Sequence, residues 1–305
     1  MALGIAVVVA LVAALGATAT PPGRNGLIVY AQELRPDHYQ LFTIRPDGSG
    51  ATQITHVVNA QQPDWSPNGK TIVAEAELKR GGGVTLFSPS GSVIRNLTPT
   101  GERGQPSFSP DGKWIAYESD ISANGIFVMR SNGTAQRRVT MNPFAGGDEC
   151  GCDTDPNFSP DGKLITFVRI KKDGKQQALF AVRPNGTGLR QVTPYSWEVA
   201  IKHDWSPDGK LIVLTTNADF VRPNQSANLV TIRPDGSGMK NLTGFTGGAE
   251  NAYAGSFSPD GEQIVFRIES GDTYSLAVID RDGGNLQRIT TGKGRPRFID
   301  WGTHQ

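Results

Sequence analysis

Beyond Asn25 the chain is a succession of short apolar runs broken by clusters of Gly, Pro, Asp and Ser. The string Ser-Pro-Asp-Gly, with Asn for Asp in the first copy, begins at Ser66, Ser109, Ser159, Ser206 and Ser258, at intervals of 43, 50, 47 and 52 residues. An aromatic stands directly before each serine (Trp65, Phe108, Phe158, Trp205, Phe257), and an apolar strand such as Trp114–Tyr117 or Leu211–Leu214 follows. A second strand comes later (Ile126–Met129, Ala178–Val182), then a Gly-containing turn and a short strand ending in Thr, as in Gln191-Val192-Thr193. Pro at the second turn position holds φ near ~−65°, Asp suits the third position and Gly accepts the fourth, so Ser-Pro-Asp-Gly reads as a type I turn joining two strands. Arg45-Pro46-Asp47-Gly48 and Arg233-Pro234-Asp235-Gly236 do the same between the third and fourth strands. Four antiparallel strands in about 40 to 45 residues, or more with long loops, make a propeller blade.

The chain ends complete the count. Gly26–Tyr30 reads as a second strand without its first, and Pro296–Gly302 as a first strand with nothing after it. Together they make one blade. With the five internal copies they predict an all-β, six-bladed β-propeller over residues 25–302, closed by pairing the C-terminal strand into the N-terminal blade. Such closure removes free sheet edges. Gly (37) and Pro (20) make up close to a fifth of the 305 residues, too many for a helix bundle, while 37% hydrophobic residues suffice for a core. Lys+Arg (30) against Asp+Glu (29) leaves a net charge of +1, without the basic excess that a nucleic-acid binder needs.

Residues 1–19 are a different material: uncharged, mostly Ala, Val, Leu and Gly, and ending in Ala17-Thr18-Ala19 before Thr20-Pro21-Pro22-Gly23. An apolar run closed by a small-x-small pattern predicts a secretory signal peptide. No Lys or Arg precedes the run, and about 17 to 25 apolar residues also cross a bilayer, so an uncleaved N-terminal anchor is the competing reading. On both readings the rest of the chain is exported, to the periplasm or outside the cell.

The pattern Pro-x-[Trp/Phe]-Ser-Pro-Asp-Gly-Lys, two apolar strands, an Asp/Asn-Gly turn and Leu/Val-Thr resembles the repeat of TolB-type β-propellers, and it covers residues 25–302. Similar repeats occur in the propeller domains of prolyl oligopeptidase-like peptidases. The resemblance implies the fold, export and a role in envelope assembly. It extends to the propeller alone: TolB carries an additional α/β domain before its propeller, and the peptidases add an α/β-hydrolase domain.

Catalytic motifs are scarce. There is no Gly-x-Ser-x-Gly elbow and no His-Glu-x-x-His. Gly69-Lys70-Thr71 imitates the end of a phosphate loop, but the first glycine of such a loop would fall at Asp64 and the Gly-Lys belongs to a repeated hairpin. His38, His56, His203 and His304 share no ligand-like spacing. Asp153-x-Asp155-x-Asn157 opens like a calcium loop and then fails, with Phe158 where the turn needs Gly and Leu164 where the bidentate Glu belongs. Cys150 and Cys152 are the only cysteines. In an oxidising compartment they are expected to pair as a loop staple, with a redox-active pair or a soft-metal site as alternatives.

The Ser-Pro-Asp-Gly hairpins never change length, whereas the connections between blades vary. Thr193–His203 carries Tyr195, Trp197 and Glu198, and Thr243–Gly255 carries Phe245, Glu250 and Tyr253. Variable loops on a rigid scaffold are where binding usually sits, so this face is expected to hold the site, with its aromatics as exposed contacts. Strand alternation puts Trp65, Phe108, Phe158, Trp205, Phe257 and Phe298 in the inter-blade core, leaving Asp64, Ser107, Asn157, Asp204, Ser256 and Arg297 to line the central channel. The resulting reading is an exported, non-catalytic, monomeric propeller without a cofactor, binding a protein or peptide through Asp64, Asn157, Asp204, His203, Arg297, Trp197 and Tyr253. The alternative is a metal-dependent propeller enzyme of sugar-lyase or lactonase type, with Asp64, Asn157, Asp204 and His203 as ligands. Convergence of those groups within about 2.0 to 2.6 Å of one point separates the two.

Overall fold

The computed structural model describes residues 23–304 except 57, 80, 100–102, 120–124, 145–150, 173, 175, 218–224 and 293. The expected signal peptide and Cys150 lie outside the described residues. The rest forms six four-stranded antiparallel sheets. Blade 1 runs outward from Arg295–Thr303 through Asn25–Arg35 and His38–Ile44 to Thr52–Gln53, so the last strand of the chain pairs with the first as expected. The inner strands of blades 2 to 6 are Asn59–Trp65, Arg103–Phe108, Asp153–Phe158, His203–Trp205 and Asn251–Phe257.

The repeated residues are repeated because each satisfies a backbone group. In the Ser109 turn the serine hydroxyl donates to Asp111 (2.7 Å) and accepts the Trp114 N–H (2.9 Å), while Asp111 accepts the Lys113 N–H (3.0 Å). The turns at Ser66, Ser159, Ser206 and Ser258 repeat this set. The threonine closing each unit has an equally specific partner. The outermost strands span only two to four residues, too short to pair the whole third strand. Thr55, Thr98, Thr140, Thr193, Thr243 and Thr290 each turn Oγ1 back to accept a third-strand N–H fourteen residues earlier, at 2.8 to 3.1 Å. Without that acceptor a buried N–H would go unpaired.

Between blades the core divides into six apolar clusters, five of them anchored by Trp65, Phe108, Phe158, Trp205 and Phe257. At the closure the anchor is Trp301, 1% exposed among Ile28, Tyr30, Val265 and Leu276, and not Phe298. The cause is a bulge. Gln62, Gln105, Asp155 and Phe298 all have φ between 47° and 54°, and each stands three residues before its blade's aromatic. Phe298-Ile299-Asp300-Trp301 is therefore the counterpart of Gln62-Pro63-Asp64-Trp65. Asp300 occupies the channel-wall position expected for Arg297.

The turns between third and fourth strands lock neighbouring blades together. Gly48 and Gly236 sit at φ 83° and 88°, and a Cβ at either would overlap the carbonyl of Ile289 or Val192 on the preceding blade. Glycine is needed there for close approach as well as for the turn.

Candidate functional site

The inner strands run from the inter-blade loops toward the Ser-Pro-Asp-Gly turns, so their early residues face the loop side of the channel. The polar wall is inter-blade glue. Asp300, Asp64 and Asp204 accept the backbone N–H groups of Trp65, Phe108 and Phe257 on the next blade, each at 2.8 Å. Asn157 donates to the His203 carbonyl at 3.2 Å. Ser256 Oγ lies 2.9 Å from Asp204 and 3.2 Å from Asp300, one hydroxyl proton between two buried carboxyl groups.

A second layer toward the loop face plugs the channel. Gln105 donates its N–H to Gln62 (2.8 Å), and Lys202 stands 4.0 Å from Asp155. The cavity left among Gln62, Gln105, Ser107, Asp155, Asn157 and Lys202 measures ≈ 10 Å³, about one water. Burial dominates the electrostatics here. It pushes Asp204 up to about 6, with Asp300 adding repulsion and Lys202 opposing. Asp64 is raised well above the usual range by burial and then by the Asp300 charge. Burial also raises Asp300, against the pull of Lys202. Lys202 is held above its ordinary value because Asp155, Asp300, Asp204 and Asp64 together outweigh its own burial.

His203 is fully buried beneath this layer. Its Nε2 lies 2.9 Å from Thr166 Oγ1 and its Nδ1 2.9 Å from Asp155 Oδ2, the latter outside hydrogen-bond geometry. The order Asp–His–hydroxyl imitates a nucleophilic triad. Thr166 is, however, 0% exposed, receives the Trp205 indole N–H at 2.8 Å and donates to the Asn157 carbonyl at 3.2 Å, so the set is structural. Both His203 ring nitrogens face Thr166 and Asp155, neither of which is among the ligands expected with it. Among the described residues no group of three or more His, Cys, Asp and Glu side chains is placed to hold a metal ion.

Above the plug, on the loop side, a pocket of ≈ 290 Å³ opens between Ile201, Lys202, Tyr253, Arg267, Arg297 and Phe298. Arg267 stacks on Tyr253 at 4.4 Å and pairs with Glu269 at 2.9 Å. Burial, followed by repulsion from Arg297 and Arg295, lowers the Arg267 guanidinium to about 10 against the pull of Glu269. Arg267 Nε and Gln177 Oε1 are buried at this pocket without a partner. Arg297 donates to the Tyr39 hydroxyl at 2.9 Å. Lys202, Arg267 and Gln177 were not legible as site residues in the sequence.

The loop-face aromatics are less exposed than expected. Tyr253 lies on an inner strand and is 9% exposed, under Arg267. Trp197, in the 3-10 turn Tyr195–Trp197, is half-buried against Val168, Ile170 and Val199. Phe245 packs on the Leu229 and Leu242 cluster, and Lys171 lies 4.3 Å over Tyr195. Apolar rings cap the inter-blade clusters where the strands end, which draws them inward. The turn face carries clefts as well, of ≈ 410 Å³ between blades 4 and 5 and ≈ 490 Å³ between blades 2 and 3.

Fold, closure and bulged inner strands together define a six-bladed propeller built from one repeated unit. The family model described as TolB beta propeller domain matches residues 100–305, and the chain belongs to that family. A Tol-Pal system protein TolB of Anaeromyxobacter dehalogenans is 25% identical over 130 residues, which is 43% of this chain and 28% of that protein. The matches span about half or less of the curated relatives' own lengths, 47% and 28% for two of them. Among solved structures, TolB from Acinetobacter baumannii superposes with a TM-score of 0.74 at 21% identity, over 94% of this chain and 69% of that one. An oligogalacturonate lyase in complex with manganese shares the fold at a TM-score of 0.54 and 12% identity, over 89% of this chain and 75% of that one.

Proposed function

We propose that the chain is an exported, non-catalytic propeller that binds a protein or peptide partner at the loop-face mouth of its channel. The family assignment supports an envelope role, and residues 1–19 are read as the export signal ahead of a monomeric propeller at 25–302. The observation that carries the site is the pocket over the plugged channel. Lys202, Arg267 and Arg297 line ≈ 290 Å³, and the Arg267 Nε–H is buried there without an acceptor. Such a pocket receives an acidic side chain or a terminal carboxylate, as guanidinium groups do most strongly when desolvated. Asp64, Asn157 and Asp204 then act below it as the rigid floor and Tyr253 as a wall, with Trp197 in the neighbouring loop-face turn. The metal-dependent enzyme reading gains support from the lyase fold alone, because His203 is committed to Thr166 and Asp155.

The test is capture of partners from envelope extract by the mature chain, comparing wild type with Arg297→Ala and Tyr253→Phe. Arg297→Ala is expected to lower capture at least tenfold with little change in melting temperature. Capture that survives Arg297→Ala moves the site off this pocket.

A further inference from the structure

The net charge of +1 conceals a segregated belt on the outer rim of the disk. Across blades 3, 4 and 5, the turns and outer strands at 130–138, 183–191 and 233–241 carry Arg130, Arg137, Arg138, Arg183, Arg190, Arg233 and Lys240. Asp235 is the single carboxylate there, leaving an excess of six positive charges. The matching segments of blades 1, 2 and 6 (45–53, 88–96 and 280–288) carry Arg45, Arg95, Arg281 and Arg288 against Asp47, Asp280 and Asp282, an excess of one. The repeat fold is the same on both halves; the charge is not.

The cations form a connected arc. Arg130 and Arg137 both lie over the Trp114 ring, 5.6 and 5.9 Å from its centre. Arg137 donates across the blade boundary to the Pro184 carbonyl at 2.7 Å, beside Arg183. Arg190 repeats the contact one blade on, donating to the Pro234 carbonyl at 2.8 Å, beside Arg233. Strand pairing of Thr231 with Lys240 carries the arc to its end. One N–H of each bridging guanidinium is used to fix it in place, and the others remain available at the exposed rim. We infer that this arc binds a linear acidic polysaccharide, uronate- or phosphate-bearing, lying along the rim of blades 3 to 5.

Polymer chemistry follows from shape. Blades turn about 60° from one to the next in a six-fold ring, so a flat lipid surface meets only one or two of the three, whereas a flexible chain follows all of them. Single-stranded nucleic acid needs aromatic platforms for its bases. The Trp114 ring beside the arc is already occupied by two guanidinium groups.

The test titrates the mature chain with oligogalacturonate of defined length, in increasing salt, against poly-glutamate, single-stranded DNA and anionic vesicles. The variants are Arg137→Glu with Arg190→Glu on the arc, and Arg45→Glu with Arg288→Glu on the opposite rim. Oligogalacturonate is expected to bind most tightly, with an affinity that falls steeply with salt as fixed charges are screened. The arc variant is expected to lose at least tenfold and the opposite-rim variant less than twofold. Equal losses in both variants, no binding at physiological salt, or tighter binding of the peptide, DNA or vesicles overturns the inference. Arg297→Ala leaves this affinity unchanged, which separates the rim from the proposed mouth site.

Discussion

The Trp65 backbone N–H donates to the Asp300 carboxyl group at 2.8 Å, across 235 residues of sequence. The same bond joins Phe108 to Asp64 and Phe257 to Asp204, so the closure is made with the chemistry of an ordinary blade boundary. Around it, Arg295–Thr303 pairs with Asn25–Arg35, and Trp301 fills the last inter-blade cluster. A chain truncated after Gly294 loses that strand and that anchor and exposes the edge of Asn25–Arg35. It is expected to melt well below wild type and to self-associate, since an unpaired edge recruits other strands. Thermal denaturation and size-exclusion chromatography check this; an equally stable monomer would remove the closure from the stability of the ring.

The recurring threonines give a more local expectation. Thr193 Oγ1 accepts the buried Leu179 N–H at 2.9 Å. Thr193→Val keeps the shape and removes the acceptor, which costs about 1–3 kcal/mol for an unsatisfied buried donor. Thr193→Ser retains the hydroxyl and is expected to recover most of the loss. Denaturant midpoints of the three proteins decide it, and equal loss in both variants would assign the effect to packing.

The blade count, the turns, the closure and five of the six inter-blade aromatics were legible because they depend on local residue choices that recur. The register of the last strand was not. Pro296-Arg297-Phe298 has the Pro-x-aromatic form of Pro63-Asp64-Trp65, but the bulge at Phe298 places Asp300-Trp301 in that role. The Asp-Trp dipeptide shared with Asp64-Trp65 and Asp204-Trp205 was the available signal. The mouth pocket was hidden for a different reason. Lys202, Arg267 and Arg297 come from three separate strands or loops, and their approach is a product of the ring rather than of any spacing.

For the cysteines the expectation is a disulfide between Cys150 and Cys152. Cys152 carries no free thiol, and it adjoins Asp153, which is buried and paired with Arg169 at 2.7 Å. Mass spectrometry of exported protein under non-reducing conditions should show a mass two hydrogens lighter than the dithiol. Two alkylatable thiols would discard the staple.

The channel floor predicts an unusual dependence on pH. Asp204 is pushed from its ordinary 3.8 to about 6, first by burial and then by Asp300, against Lys202 and the bonds from Phe257 and Ser256. A carboxyl group with a raised folded value binds more protons in the native state than in the unfolded one. Stability therefore falls as pH rises from about 4 to about 6, by an amount on the order of 3 kcal/mol at ~1.4 kcal/mol per unit. Asp64 and Asp300 are shifted in the same direction and extend the decline. The turn aspartates Asp111, Asp161 and Asp208 work the other way. Their burial is outweighed by the serine hydroxyl and the lysine N–H, so their values are lowered and their contribution is lost only below the ordinary carboxylate range. The two windows do not overlap, and maximal stability is expected where they meet, near about pH 4. Asp204→Asn keeps an acceptor for the Phe257 N–H and removes the titration. Denaturant unfolding at half-unit steps from pH 4 to pH 8 should show the wild-type decline and a shallower slope in Asp204→Asn, with the variant the more stable above pH 6. A flat wild-type profile, or an unchanged slope in the variant, would mean that Lys202 offsets the burial of Asp204 and that its carboxyl group takes up no extra proton on folding.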